Sequence, residues 1–135
     1  MRKFEIIDAG DGRSVRVTAT TKAGLAIAAM NGLFAVAAPR TDEEETGLVR
    51  QPFEVHADDF GHLLAALLEK AVAAAMKGNE MYEDVRFSLI TDTKATGELV
   101  GKPVHGFRAT VRGVGPIKVE KNPEGAWEST IVFKS

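Results

Sequence analysis

Asp58-Asp59-Phe60-Gly61-His62-Leu63-Leu64-Ala65-Ala66-Leu67-Leu68-Glu69-Lys70-Ala71-Val72-Ala73-Ala74-Ala75 is the stretch that decides the fold. Phe60, Leu63, Leu64, Leu67, Leu68, Ala71, Val72 and Ala75 recur at spacings of three and four, which gathers them on one side of a helix. Glu69, Lys70 and Lys77 interrupt the pattern on the other side. Asp58 or Asp59 supplies the N-cap, and Gly78 is placed as the residue after the last turn. A helix with one apolar side needs a surface to lie on, and the flanking sequence supplies strands.

Just upstream, Phe53, Val55 and Ala57 alternate with Glu54 and His56, so residues 50–57 are predicted as a strand. Further back, Phe4 to Ile7 form a short strand, Asp8-Ala9-Gly10-Asp11-Gly12 a turn, and residues 14–20 a second strand with Val15, Val17 and Ala19 on one face. Thr21 then caps another helix. Its apolar residues form two adjacent stripes, Leu25, Ala29, Leu33 and Val36 beside Ile27, Met30, Phe34 and Ala37, so this helix is expected to be largely buried. Gly24 and Gly32 weaken it and admit a close neighbour, and Pro39 ends it. Arg40 to Gly47 contains Glu43-Glu44-Glu45, a solvated loop.

Downstream the chain is strand and turn. Val85, Phe87 and Leu89 alternate; residues 96–104 carry Leu99 and Val100 with Gly97 and Gly101 as breakers; Phe107, Ala109 and Val111 alternate; Ile117 and Val119 form a short strand; and Trp127, Ser129, Ile131 and Phe133 close the chain. Asn122-Pro123-Glu124-Gly125 is a turn. The order is ββαβα followed by about four strands. That predicts an α+β fold, two helices packed on an antiparallel or mixed β-sheet, in a single domain over residues 1–135.

Composition narrows the function classes. The chain has 135 residues, 44% hydrophobic and 27% charged, which fits a globular domain and excludes a disordered or collagen-like one. No apolar run reaches the ~18 residues of a membrane span. Basic Met1-Arg2-Lys3 is followed by Glu5 and Asp8, which break up any signal-peptide core. The cytoplasm is taken as the default location, since a chain without cysteine is compatible with any compartment. Without cysteine there is no thiolate metal site, thiol nucleophile or redox switch. With 17 basic against 19 acidic residues and a net charge of −2, strong direct binding of nucleic acid by bulk electrostatics is not expected.

Chemistry-bearing residues are sparse. His56 and His62 bracket Asp58-Asp59, but a strand end and a helix start do not enforce convergence, so a helix cap with two surface histidines is the simpler reading. His105 sits between a turn and a strand, near Arg108, and alone supports no chemistry. Asp8 and Asp11 share one glycine-containing turn; they are turn formers, and they are also oxygen donors for a hard divalent cation. Gly113-Val114-Gly115-Pro116 precedes no helix and is not a phosphate loop. Arg86, Arg108, Arg112 and Lys118 read as the solvated face of the sheet, and Trp127 as sheet packing.

Three segments resemble the archease family, small α+β proteins that assist an RNA ligase of tRNA splicing. They are Phe4-Glu5-Ile6-Ile7-Asp8 with Thr21-Lys22-Ala23-Gly24-Leu25; residues 55–68; and residues 117–121 with Gly125-Ala126-Trp127 and the closing strand. The resemblance implies a non-enzymatic accessory protein of RNA repair or tRNA processing, with an RNA ligase as partner. It also implies a divalent cation such as Ca²⁺ or Mg²⁺, held by acidic residues near both chain ends. On this sequence Asp11 is the best match to such a ligand and Asp8 the next. The departures are equally specific. The first turn lacks the family's histidine, Arg112-Gly113-Val114-Gly115 stands where the family has Tyr-His, and Lys134 and Ser135 stand where it has its C-terminal acid. An ammonium in place of a carboxylate removes a ligand and adds repulsion, so the cation site is expected to be degraded. The other reading is a protein-interaction or small-ligand-binding module of the same fold without metal chemistry.

Overall fold

A computed structural model describes residues 1–7, 13–41 and 47–134. The turn with Asp8 and Asp11, the acidic run Glu43 to Glu45, and Ser135 lie outside the described residues. The element order is β1 (Arg2–Ile7), β2 (Ser14–Ala19), α1 (Lys22–Ala37), β3 (Val49–His56), α2 (Phe60–Gly78), β4 (Glu80–Ile90), β5 (Lys94–Pro103), β6 (Gly113–Val114), β7 (Glu120–Lys121) and β8 (Trp127–Lys134). The predicted ββαβα order and α+β class hold. Two sheets form, one of order β1-β2-β8-β6 with β7 also on β8, the other of order β3-β5-β4. Every described strand pairing is antiparallel.

The two stripes of α1 have a tertiary cause. This helix contacts β1, β2 and β8 of the first sheet and also β4 of the second, so it is covered from two directions. Gly32 makes the closest approach possible, since a Cβ there would lie 2.7 Å from Val15 Cγ1. Phe34 meets Tyr82 edge-to-face at 5.8 Å between ring centres. Tyr82 is fully buried, and its hydroxyl donates to Glu80 Oε1 at 2.8 Å. Loss of solvent, reinforced by that carboxylate, pushes the phenol well above its usual range. The apolar side of α2 packs on β3, β4 and β5 and reaches β6.

Several boundaries differ from the sequence reading. Gly78 is the last helical residue of α2, and Asn79 takes the left-handed conformation (φ 53°) that ends it, its N–H bonded to the Ala75 carbonyl. In α1 the same role falls to Ala38 (φ 51°), one residue before Pro39. Residues 107–112 are not a regular strand: Phe107 forms an isolated bridge with Pro39, while Arg108 and Ala109 donate to the carbonyls of Ala38 and Ala37. Ile117 and Val119 precede the short β7 and lie outside it. Gly97 and Gly101 do not break β5, which runs through both. Opposite them β4 carries register shifts between Tyr82 and Asp84 and between Phe87 and Leu89. Each extra β4 residue presses backbone onto β5 where a side chain has no room. Phe53 and Phe87, the cross-strand neighbours of Gly97, meet edge-to-face at 6.0 Å.

Candidate functional site

Three places hold the residues singled out by sequence. The first is the end of the five-stranded sheet where β1 hands over to β2. Ile7 pairs with Ser14, so β1 and β2 are antiparallel neighbours. The Arg13 carbonyl accepts the Phe133 N–H at 3.0 Å, and the Lys134 carbonyl accepts the Arg112 N–H at 2.7 Å. Arg13 also reaches the Thr110 carbonyl with its guanidinium at 2.8 Å. Arg13, Arg112 and Lys134 therefore share the end of the sheet at which the turn emerges. A hard divalent cation needs several oxygen donors. Among the described residues no group of three or more His, Asp or Glu side chains gathers anywhere, and at this end β8 contributes a lysine. The described residues do not fit a cation site. Asp8 and Asp11 themselves lie outside the described residues.

The second place is the start of α2. Asp59 is the N-cap: its Oδ1 accepts the His62 N–H at 2.8 Å, and the His62 ring nitrogen lies 2.9 Å from the same carboxylate. The backbone bond, then the imidazole, holds the Asp59 carboxyl below the usual aspartate range. His56 turns elsewhere and pairs with Glu54 at 3.2 Å. The sequence cluster thus resolves into a cap and a separate strand pair. Because the folded carboxyl ionises more readily than the unfolded one, its contribution is fully present above the unfolded pKa. It is lost as pH falls through the folded value. Asp59→Ala is expected to lower the melting temperature at neutral pH, with the gap to the parent chain closing below about pH 4. Paired thermal melts across the acid range check this.

The third place is a cleft of about 280 Å³ lined by Lys22, Asp59, Phe60, Gly61, Ile117, Lys118, Val119 and Trp127. Nothing in the spacing pointed to it, because it joins the first turns of both helices to the approach of β7 and the start of β8. Gly61 lets the chain come close: a Cβ there would lie 2.5 Å from the Ile117 carbonyl oxygen. The Lys22 ammonium is 5.3 Å from the centre of the Phe60 ring, 4.8 Å from that of Trp127, and ion-paired with Asp92. Lys121 stands 5.1 Å from the Trp127 ring. Lys118 pairs with Glu120 at 2.9 Å, which raises its ammonium pKa. These cations are turned to rings and carboxylates of the chain itself, so the cleft works as a clasp between helix ends and sheet. Lys22→Ala is expected to cost about 1–2 kcal/mol in urea unfolding, as partly desolvated cation–π contacts do, while Lys118→Ala changes little.

Arg86, Arg108, Arg112 and Lys118 stand on separate parts of the fold, and only Arg86 belongs to a sheet strand. Arg86 is on β4, Arg108 is tied to the end of α1, Arg112 to the end of β8, and Lys118 lines the cleft. His105 bonds through its backbone N–H to the Arg40 carbonyl. No helix among the described residues is long and apolar enough to cross a membrane.

Two helices, one wedged between a five-stranded and a three-stranded antiparallel sheet and the other laid on the smaller sheet, define an α+β protein with the archease fold. The chain is similar to an archease from Thermotoga maritima, described as a possible chaperone, with a TM-score of 0.66 and 10% identity over 90% of this chain and 89% of that one. It is also similar to protein 1598 of Methanobacterium thermoautotrophicum in solution, with a TM-score of 0.55 and 15% identity over 99% and 98% of the two chains. At such identities the likeness establishes the fold alone. No family model matches the chain, and no curated protein matches it in sequence.

Proposed function

We infer that this chain is a single-domain, non-enzymatic accessory protein of the cytoplasm that docks on a protein partner and assists it, the partner being an RNA ligase of tRNA splicing or RNA repair. The observation that carries this reading is the archease fold over nearly the whole chain, shared with a protein described as a possible chaperone. The near-balanced charge supports it as well, since a helper of an RNA-handling protein needs no strong basic surface of its own. The test is guanylylation of the RNA ligase from the same genome, followed with and without the purified chain. A several-fold rise in rate or turnover is expected. An unchanged rate at equimolar and excess protein overturns the reading.

Arg13, Arg112 and Lys134 at the turn end of the sheet favour a second reading, an interaction module of the same fold in which the divalent-cation site is lost. Asp11 and Asp8 are the residues that would hold such an ion. Calorimetry with Mg²⁺, Mn²⁺ and Ca²⁺ separates the two readings: no micromolar binding is expected. Binding that Asp11→Ala abolishes counts for the metal-dependent form.

A further inference from the structure

Among the described residues five strands stand at open ends of the sheets, and four of them are blunted. β3 carries Pro52 in its middle, β4 is bulged twice, and β6 and β7 are each two residues long. β1 has none of these devices: its six-residue register with β2 is continuous, and all of it but Ile7 is exposed. The Thr20 N–H donates to the Met1 carbonyl, so Met1 and Thr20 are a hydrogen-bonded pair of the antiparallel ladder. By alternation Lys3 and Glu5 also bond inward to β2, while Arg2, Phe4 and Ile6 turn their N–H and C=O groups to the open edge. Phe4 and Ile6 are 39% and 47% exposed, although they share the face of Val17 and Val15, which is buried under α1.

We propose that β1 is a self-association edge, pairing antiparallel with β1 of a second copy so that the two five-stranded sheets become continuous. The register follows from the sequence of the strand. With Phe4 opposite Phe4 of the second copy, both residues of each bonded pair present free amides. Ile6 then covers the stem of Arg2, and Lys3 faces Glu5 on the outer side, twice by symmetry. A slip of two residues either way sets Lys3 against Lys3 or Glu5 against Glu5. A slip of one opposes a free amide row with one already bonded to β2. The pair of Glu5 with Arg16 is exposed and stretched to 4.0 Å, so it offers little competition.

Sedimentation equilibrium on the full chain, from micromolar to sub-millimolar concentration, tests the proposal. The parent chain is expected to dimerise. Glu5→Lys and Lys3→Glu are each expected to weaken the dimer about tenfold or more, because two attractive pairs become repulsive. An equimolar mixture of the two variants, and the double variant Lys3→Glu/Glu5→Lys, are expected to dimerise again, since opposite charges face each other in both. That rescue separates a pairing role from a loss of folding. A parent chain that stays monomeric throughout, or a dimer indifferent to the single swaps, overturns the proposal.

Discussion

Gly101→Ala is expected to be among the most damaging single-methyl changes in this chain. A Cβ at that position would lie 1.7 Å from the Met81 carbonyl oxygen and 2.7 Å from Tyr82 Cα. Both are backbone atoms of β4, so no rotamer change relieves the overlap. The central strand of the smaller sheet has to separate from β4 at the bulge, which moves Tyr82 and with it the edge of Phe34. Overpacking that side chains absorb costs about 1–3 kcal/mol, and backbone displacement in a core sheet goes beyond that, to about 3 kcal/mol or more. Set against the total stability of an ordinary domain, that is enough to leave a measurable unfolded fraction near physiological temperature. Urea unfolding followed by circular dichroism is expected to show a midpoint lowered by about 1 M or more. Gly47→Ala is the control: its Cβ would meet only Pro103 at ordinary contact distance, 3.6 Å, and its midpoint is expected to stay near that of the parent chain. Equal midpoints for both variants would mean that β4 does not press on β5 there.

Leu68→Ala is the second large effect. Leu68 is fully buried in the apolar stripe of α2, the stripe packed on β3, β4 and β5. Truncation removes its buried side-chain carbons and leaves a cavity that a close-packed helix–sheet layer closes only in part, a loss of about 2–5 kcal/mol. Leu68→Met nearly conserves volume and is expected to cost less than about 1.5 kcal/mol. Lys70→Ala, two residues on and exposed, is expected to stay within about 0.5 kcal/mol of the parent chain. Equilibrium denaturation of the three variants orders them. A Leu68→Ala chain as stable as the Lys70→Ala chain would contradict the packing of α2.

The order of elements was legible because burial repeats along the chain at the period of each element. The three-and-four spacing from Phe60 to Ala75 matches the buried side of α2 residue for residue. The double stripe from Leu25 to Ala37 correctly announced a helix covered on more than one side. Residues 107–112 misled because they alternate, yet they form no ladder: Arg108 and Ala109 bond to the end of α1, and Arg112 to the last residue of β8. Alternation reports which side chains are buried, and a loop lying on a core alternates as well. Gly97 and Gly101 misled for the opposite reason. Glycine in a strand pattern signals either a break or a close approach of another backbone, and only the β4 bulges decide between them.

The candidate sites divide along the same line. Caps are local, so Thr21 and Asp59 were readable from a few neighbouring residues, and the structure bears both out. The clasp of Lys22, Phe60, Asp92 and Trp127 draws on four separate parts of the chain and leaves no trace in spacing. By itself the sequence determined two helices, most of the strands around them, their N-caps, a near-neutral charge and the absence of any thiol. Those properties depend on neighbours within a turn or two, or on composition alone. Only the tertiary structure decided that α1 is wedged between two sheets, that Arg13, Arg112 and Lys134 meet at one end, and that β1 is left as the unblunted edge. Each of these depends on which strands pair, and pairing is a property of residues far apart in the chain.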